Sequence, residues 1–455
     1  MKITPLGGAG SVTGSRFLVE TQRHRILMEC GLFQGLKSLR LKNWEPFPVP
    51  PASLDAVVLS HAHLDHTGYL PALVRAGYAG PVLVTPATAD LLPVLLQDAA
   101  HLQEEDAAFA NRKGFSRHAR ALPLFTRDDA KAACDLLESR EWHSPFEVHD
   151  LQLQFFPAGH LLGAAMIRVE DEAGDSLLFS GDLGRSQDPL HPPPSPRPPS
   201  RRLLMEATYG NRSHAPEAPE EGLAAVVSRT LERGGVVLIP TFAVGRAQAI
   251  LLLLHRLRKE RRIPGVPVFL DSPMAIRASE VHLEHAGELR PEPGELTRAL
   301  NAAEWVRTSE ESKSLNRRRG PMVILAGSGM LTGGRILHHL QHYGGRHENL
   351  LILVGYQAEG TRGRELWRGE RSLRMHGRWF DVRCQVESLE LLSGHADREE
   401  LVEWAASGTE PELGVGLVHG EPGPADHLRR RLMDRTGWRV EVAREGVPLF
   451  EGPGG

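Results

Sequence analysis

The chain has 455 residues, which is more than one ordinary hydrophobic core supports, so we expect two or three domains. With 41% hydrophobic and 24% charged residues, its composition is that of a globular protein and excludes a disordered chain. The net charge of −4 argues against a protein that coats nucleic acid by bulk attraction, although a focused basic cleft remains compatible with it.

The N-terminus has no basic region followed by an apolar stretch, and no apolar run approaches the length of a membrane span. We therefore expect no membrane association and a cytoplasmic location. Cys30, Cys134 and Cys384 are far apart and form no CxxC pair, so the sequence predicts free thiols. It predicts neither a disulfide framework nor a thiolate zinc site.

The first part of the chain predicts a layered α/β structure in which strands alternate with turns and helices. Seven prolines between residues 189 and 200 predict a stiff surface connection, since proline fits neither a helix interior nor a central strand. The predicted strands are 17–20, 25–29, 54–60, 81–85, 151–156, 164–169, 176–180 and 203–206, and the predicted helices are 68–76 and 88 to about 110.

Three histidines and an aspartate lie within six residues directly after the apolar strand 54–60, in the sequence His61-Ala62-His63-Leu64-Asp65-His66. Imidazole and carboxylate groups suit zinc first, with manganese or iron as substitutes. In one continuous turn these side chains do not all converge on one ion at good angles. His61 and His63 are therefore expected to serve one ion, and Asp65 and His66 a second.

Residues 207–374 change to repeated strand–loop–helix units, which predict a parallel sheet covered on both faces, as in a Rossmann-like domain. The loops at the carboxyl ends of such strands, including 355–363, favour anions. No GxGxxG or Walker A sequence is present, so a polyanionic substrate fits better than a nucleotide cofactor. The alternative, that these loops only pack the inserted helices, stays open. The candidate substrate-binding residues are Arg246, Ser272, Ser328, Gly329, Arg335, Thr361, Arg362 and, beside them, Arg364.

Further short motifs follow the histidine-rich stretch in a fixed order. The HxHxDH pattern, Ala158-Gly159-His160 and Ser180-Gly181-Asp182 resemble the ligand motifs of the metallo-β-lactamase fold. Met205 to Gly210, Ser393 to Asp397 and Val418-His419-Gly420 resemble motifs A, B and C of the β-CASP nucleases. That group includes the bacterial RNases of the J type and the endonuclease subunit that cleaves messenger RNA precursors. The resemblance covers nearly the whole chain.

The resemblance implies an αββα metallo-β-lactamase sandwich that carries an inserted Rossmann-like β-CASP domain. The implied boundaries are 1–206 for the first part of the sandwich, 207–374 for the β-CASP domain and 375–455 for the C-terminal part of the sandwich. By resemblance, His61, His63 and His160 hold one Zn²⁺, Asp65, His66 and His419 hold another, and Asp182 bridges both; Mn²⁺ is a substitute. His395, oriented by Glu206, is then expected to donate a proton to the leaving oxygen or to stabilise the transition state, and Asp65 and Asp182 also belong to the catalytic set.

The implied function is zinc-dependent hydrolysis of single-stranded RNA in processing or decay. Cleavage is expected to be endonucleolytic, with 5′-to-3′ exonuclease activity as an addition, and RNA is expected in the cleft between the domains. Glu29 stands where the family usually has aspartate. Its side chain is longer by one methylene, so the carboxylate that supports the metal site is expected to be shifted by that length. The chain ends soon after motif C and so resembles the minimal, polyadenylation-factor-like form. A homodimer stays open.

Two alternatives belong to other classes. One is a different hydrolase on the same fold, such as a DNA nuclease, a lactonase or a thioesterase. His395 and the inserted domain disfavour the small-molecule substrates, and His419 disfavours the DNA-processing relatives, which typically lack a histidine at motif C. The other alternative is an inactive scaffold subunit of an RNA-processing complex. Such relatives have lost ligands, whereas this chain keeps each of them.

Overall fold

The computed structural model describes residues 1–114, 120–214, 219–355, 357–358, 360–389 and 393–450. Two compact units divide the chain: unit 1 contains 1–186, 193–213 and 395–455, and unit 2 contains 187–192 and 214–394. Tyr356 and Glu359, which belong to the predicted loop 355–363, lie outside the described residues. Across the described residues, no helix combines the length and the apolar character needed to span a bilayer.

The first part of unit 1 alternates short strands with helices. Its strands are β1 (Lys2–Gly7), β2 (Arg16–Glu20), β3 (Arg25–Met28), β4 (Ala56–Val58), β5 (Val82–Val84), β6 (Leu137–Ser139), β7 (Phe146–Val148), β8 (Leu151–Pro157), β9 (Ala165–Asp171), β10 (Ser176–Phe179) and β11 (Arg202–Glu206). Its helices are α1 (Lys37–Lys42), α2 (Leu64–Thr67), α3 (Leu70–Arg75), α4 (Pro86–Lys113) and α5 (Arg127–Cys134), with a 3₁₀ turn at Pro51–Ser53.

Unit 2 is built from strand–helix repeats. Its helices are α6 (Pro219–Glu232), α7 (Arg246–Lys259), α8 (Pro273–Glu284), α9 (Pro293–Asn301), α10 (Ser309–Leu315), α11 (Arg335–Tyr343) and α12 (Arg362–Trp367), with a 3₁₀ turn at Ala286–Glu288. Its strands are β12 (Val236–Pro240), β13 (Val268–Asp271), β14 (Glu304–Trp305), β15 (Met322–Ala326), β16 (Leu350–Val354), β17 (Ser372–Met375), β18 (Arg378–Asp381) and β19 (Gln385–Leu389).

The chain then returns to unit 1 with α13 (Arg398–Ala406), β20 (Gly414–Val418), α14 (Pro422–Thr436) and β21 (Val440–Val442). Within the described ranges, unit 1 has a six-stranded sheet ordered β1-β2-β3-β4-β5-β6 and a seven-stranded sheet ordered β21-β20-β11-β10-β9-β8-β7. One apolar core fills the space between them. For example, Phe17 of β2 and Phe179 of β10 have ring centroids 5.2 Å apart. Helices cover the outer sides, with α4 against β6 and α14 against β20.

The main sheet of unit 2 is ordered β14-β13-β15-β12-β16-β19, and its pairings in the described residues are parallel. Each residue of β12, β15 and β16 is buried, as expected for strands covered on both faces. The two packed sheets of unit 1 and the parallel sheet of unit 2 therefore confirm the predicted fold class, a metallo-β-lactamase sandwich with an inserted parallel-sheet domain.

The compact units extend beyond the domain bounds predicted from the sequence. Unit 2 continues past residue 374, because β19 pairs in parallel with β16 in its sheet. Unit 1 continues past residue 206, to residue 213. The proline-rich connection is partly buried, whereas the sequence predicts a surface spacer. Its Arg197 is buried and donates a hydrogen bond from Nε to the Ala405 carbonyl at 2.8 Å.

Candidate functional site

The histidine-rich stretch begins three residues after β4 ends and continues into the single turn of α2. Its backbone is tied to two neighbouring segments. Ser15 donates its N–H to the carbonyl of Asp65 at 2.9 Å, and Cys30 donates to the carbonyl of His66 at 2.7 Å. A Cβ at Gly31 would lie 1.8 Å from the Asp65 carbonyl oxygen, so only glycine fits there. These backbone contacts hold the stretch in place independently of its own side chains.

One cluster of ligand-type atoms contains His61, His63, His160 and Asp182. His61 Nε2 lies 3.0 Å from His63 Nδ1, and His160 Nε2 lies 3.2 Å from the same atom. Asp182 Oδ2 lies 3.6 Å from His61 Nε2 and 3.7 Å from His160 Nε2. Ligand atoms placed about 2.0–2.1 Å from a tetrahedral zinc ion are roughly 3.3 Å apart. The donor set therefore fits a zinc-sized ion in both chemistry and spacing.

A second cluster contains Asp65, His66 and His419. His66 Nε2 and His419 Nε2 lie 3.2 Å apart, and Asp65 Oδ2 lies 3.5 Å from His419 Nε2 and 3.9 Å from His66 Nε2. Asp182 Oδ2, which faces the first cluster, is also only 3.4 Å from His66 Nε2. Asp182 thus faces histidines of both clusters, and all of these residues belong to unit 1.

Glu29 supports the second cluster from behind. It is fully buried, accepts the Ser60 N–H at Oε1 at 2.6 Å, and accepts a hydrogen bond from His66 Nδ1 at Oε2 at 2.7 Å. The second bond fixes the imidazole so that Nε2 faces the cluster. The extra methylene relative to aspartate is accommodated, with Glu29 adopting a left-handed backbone with φ of 65°. Burial raises the pKa of Glu29, and the neighbouring His66 opposes that rise.

Charges in the site divide the imidazoles into two kinds. Burial lowers the pKa of His63 to about 4 and that of His61 well below its usual value, so both imidazoles are neutral at pH 7. Burial also opposes a charge on His66, but Asp182 and then Glu29 outweigh it and raise its pKa. Burial likewise opposes ionisation of Asp182, yet His419 and His66 lower its pKa well below the usual range.

Glu206 and His395 form a pair beside the first cluster. Glu206, at the end of β11, is fully buried and accepts the Leu183 N–H at 2.6 Å. His395 Nδ1 donates to both oxygens of Glu206 at 3.2 Å, and its ring centroid lies 4.4 Å from that of His160. Burial disfavours the charged imidazole, but Glu206 and then Asp182 raise the pKa of His395 to about 9. The pair therefore holds a proton next to the ligand clusters.

Sequence reasoning missed two residues that contact the ligands. Ser60 Oγ lies 2.9 Å from His61 Nδ1, and Thr208 Oγ1 lies 3.2 Å from His419 Nδ1. The Ser60 hydroxyl faces the His61 nitrogen opposite the one that points at His63, which helps to orient that ring. His419 Nδ1, which the Thr208 hydroxyl contacts, also lies 3.1 Å from Asp182 Oδ1. The available signal was position alone: Ser60 directly precedes the first ligand, and Thr208 lies within motif A.

The candidate substrate-binding residues lie in unit 2, where they make contacts that stabilise its loops. Arg335 donates to Asp271 Oδ1 at 2.6 Å and to the Val306 carbonyl, and Arg362 donates to the Arg374 carbonyl at 2.7 Å. Ser272 and Thr361 cap helices α8 and α12. The alternative left open by the sequence, that these loops pack the inserted domain, therefore accounts for these contacts. Three more are similar: Arg246 donates to the Val354 carbonyl, Ser328 bonds within its own loop, and a Cβ at Gly329 would meet the Phe242 ring.

Comparison with known families identifies three domains. Residues 12–262 match the metallo-β-lactamase superfamily, residues 247–366 match the Beta-Casp domain, and residues 379–443 match the Zn-dependent metallo-hydrolase RNA specificity domain. The chain belongs to the metallo-β-lactamase superfamily and, within it, to the β-CASP metallo-hydrolases. The family resemblance seen in the motifs is confirmed.

Individual relatives agree with this assignment. The chain is 40% identical to Ribonuclease TTHA0252 of Thermus thermophilus, over 99% of this chain and 100% of that protein. It is 33% identical to Transcription termination factor FttA of Methanosarcina mazei, over 89% of this chain but only 64% of that longer protein. A crystal structure of a protein of unknown function from Enterococcus faecalis shares the fold, with a TM-score of 0.56 at 15% identity, covering 98% of this chain and 99% of that one.

We predict that zinc binding near pH 7 releases protons. In the metal-free molecule His66 carries a proton because its pKa is raised, and an ion needs the neutral nitrogen, so affinity rises with pH. Calorimetry in buffers of different ionisation enthalpy measures the protons released. Glu29→Gln removes one of the carboxylates that raises the pKa of His66, so it should reduce the release at pH 7. Uptake that is independent of pH between 6 and 8 would contradict this account.

Proposed function

We propose that the chain is a zinc-dependent ribonuclease that hydrolyses phosphodiester bonds of single-stranded RNA. The observation that carries the proposal is the pair of ligand clusters that share Asp182, with the His395–Glu206 pair beside them. The match to an RNA specificity domain and the full-length likeness to a protein named as a ribonuclease support RNA as the substrate.

In this proposal each chain holds two zinc ions, with manganese as a substitute. His61, His63 and His160 would hold one, Asp65, His66 and His419 the other, and Asp182 both. When bound, such a pair of ions activates water near neutral pH and neutralises charge on the phosphate. The carboxylates Asp65 and Asp182 bring the negative charge that makes this site selective for divalent cations.

His395 is proposed as the general acid. Cleavage of the P–O bond leaves an oxygen that needs a proton, and His395 holds one below a pKa of about 9. Because Nδ1 is engaged by Glu206, the proton would be given from the opposite ring nitrogen, Nε2. Glu206 is a positioning residue: it fixes the ring and keeps it charged, while the Leu183 N–H holds Glu206 itself.

We predict that His395→Ala and His419→Ala fail in different ways. His395→Ala should keep both ions and lose about 10²- to 10⁴-fold in turnover, the usual range for general acid–base catalysis. His419→Ala should lose one ion, because its imidazole faces the second cluster. Metal analysis of both variants, followed by single-turnover cleavage of labelled RNA, separates the two effects. Equal metal loss in both would mean that His395 is a ligand and that another group is the acid.

The conservative variant Glu206→Gln provides the control for this assignment. Its amide oxygen still accepts the Leu183 N–H, but the charge that raises the pKa of His395 is gone. The high-pH limb of the rate profile should therefore move to lower pH while metal content stays unchanged. An unshifted limb would assign that limb to a group other than His395.

An exposed tryptophan in unit 2 is a better candidate for contact with RNA bases than the predicted loops. Trp379 of β18 is 73% exposed and lies directly across the two-stranded ribbon from Arg374, on the face opposite the buried Leu373. Arg364 stacks over the Trp367 ring at 4.2 Å just before this ribbon. Arginines outnumber acidic residues from 362 to 383 in a chain whose net charge is negative. Exposed aromatic rings among arginines bind unpaired bases and phosphates, which supports a single-stranded substrate.

We predict that Trp379→Ala raises KM for RNA by about 5- to 150-fold, which corresponds to the roughly 1–3 kcal/mol of one stacked base. Trp379→Phe should keep most of the affinity, since it retains an aromatic ring. The control substrate is bis(p-nitrophenyl) phosphate, which has no base to stack, and its hydrolysis should be unchanged. If Trp379→Ala left KM for RNA unchanged, or slowed the small substrate equally, Trp379 would not be a base contact.

We propose that the chain cleaves RNA internally, as an endonuclease, and that 5′-to-3′ exonuclease activity is a second activity. A strict exonuclease needs a pocket reserved for a chain end. Among the described residues, the loop side chains predicted to contact phosphate instead make hydrogen bonds within unit 2. An internal cut needs no such pocket.

We predict that circular single-stranded RNA is cleaved at a rate comparable to that of the matching linear RNA. The circle has no end to bind, so its cleavage reports an internal cut alone. Gel analysis of labelled circular, 5′-monophosphate and 5′-triphosphate RNAs of one sequence makes the measurement. Complete resistance of the circle, together with rapid loss of the linear 5′-monophosphate RNA, would leave only an exonuclease.

A further inference from the structure

A second group of ligand-type side chains lies at the other end of β4 from the catalytic clusters. It consists of His24 in the turn between β2 and β3, Asp55 directly before β4, and His149 in the turn between β7 and β8. The first two residues belong to the six-stranded sheet and its turns, and the third belongs to the seven-stranded sheet. The group therefore joins the two sheets of unit 1.

The spacing in this group suits shared ligation better than direct hydrogen bonding. His24 Nδ1 lies 3.5 Å from Asp55 Oδ2, and His149 Nε2 lies 3.5 Å from Asp55 Oδ1. These separations exceed the 2.7–3.2 Å of ordinary N–H···O bonds. They are close to the roughly 3.3 Å between ligand atoms on a tetrahedral zinc ion. His24 Nδ1 is shielded from solvent and has no hydrogen-bond partner among the described residues.

The three residues are held in place by contacts that do not depend on an ion. Asp55 accepts the Arg25 N–H at Oδ2 at 2.7 Å, and its own N–H donates to the Arg25 carbonyl at 2.8 Å. The His24 N–H donates to Thr21 Oγ1 at 3.0 Å, and Thr21 in turn donates to Asp150 at 3.0 Å. The last bond holds the β7–β8 turn, which carries His149, next to the β2–β3 turn.

We propose that His24, Asp55 and His149 bind one divalent ion of the zinc class, separate from the catalytic ions, which fastens the two sheets of unit 1 together. The two imidazoles are stacked, with centroids 4.1 Å apart and planes 4° apart, so an ion shared between them requires one ring to turn. The His149 side chain is 51% exposed and has room to do so. With only three protein ligands, water completes the coordination, and binding is weaker than at the catalytic clusters.

Zinc alone is the probe for this site, added stepwise at pH 8 to the full chain and to His149→Ala, with zinc per chain counted after equilibrium dialysis. The wild type should bind one more ion than His149→Ala. Filling this last site should raise the midpoint of thermal unfolding of the wild type by a few degrees. The same zinc concentration should leave the midpoint of His149→Ala unchanged. Hydrolysis of RNA at the lower zinc concentration that fills the catalytic clusters should be the same in both.

His143→Ala is the matched control, since His143 is also exposed and also has a left-handed backbone, with φ of 58° against 55° for His149. It should keep the additional ion and the thermal shift. His24→Ala, in which the partly buried ligand is removed, should lose both. Equal zinc counts and equal thermal shifts in the wild type and His149→Ala would overturn the proposal, as would loss of the additional ion in His143→Ala.

Discussion

The structure of unit 1 depends on the convergence of imidazole nitrogens around one buried carboxylate. His61 and His63 approach within 3.0 Å, His63 and His160 within 3.2 Å, and His66 and His419 within 3.2 Å. Nitrogen lone pairs at such distances repel one another unless a proton or a cation lies between them. Asp182 Oδ2, 3.4–3.7 Å from His61, His66 and His160, supplies the opposite charge. A buried carboxylate is costly unless it is paired or coordinates a metal, so Asp182 needs a protonated imidazole or a bound cation beside it.

The fold supplies this arrangement by placing the candidate ligands at the ends of strands. Each of five strands ends at Glu206 or within a few residues of a candidate ligand, so these side chains are held by the two sheets; the strands are β4, β8, β10, β11 and β20. Gly31 and Glu29 complete the support, the first by letting the backbone of Asp65 approach and the second by holding His66. Ligand geometry is thus fixed by backbone contacts and buried carboxylates rather than by the flexible side chains alone.

Much of this was predictable because local sequence patterns carry it. The HxHxDH stretch follows a strand of the six-stranded sheet, and the short motifs around His160, Asp182 and His419 follow strands of the seven-stranded sheet that packs against it. The continuous apolar runs that form β12 and β16 belong to the strand–loop–helix units from which the sequence predicts a parallel sheet in residues 207–374. The pairing of β19 with β16 could not be predicted, because β19 is only half-buried and the pairing is a long-range contact without a local signal.

The contacts between residues far apart in sequence could not be predicted, because they too have no local signal. His66 and His419 are separated by 353 positions, and no motif states which nitrogen of one faces which nitrogen of the other. His24, Asp55 and His149 carry no motif at all, since they come from three separate turns. The loops of unit 2 contain small residues and arginines, which suggested anion binding. Their hydrogen bonds show that arginine and serine also stabilise turns and helix caps, so the same residue types fit both interpretations.

The most direct test of the central claim is a crystal structure of zinc-loaded protein with anomalous scattering measured on both sides of the zinc edge. The account predicts two peaks about 3.5–4 Å apart. One should lie within about 2.0–2.2 Å of His61, His63 and His160, the other at that distance from Asp65, His66 and His419, with Asp182 between them. A single peak in fully loaded, active protein, or two peaks that do not share Asp182, would contradict the two-metal site.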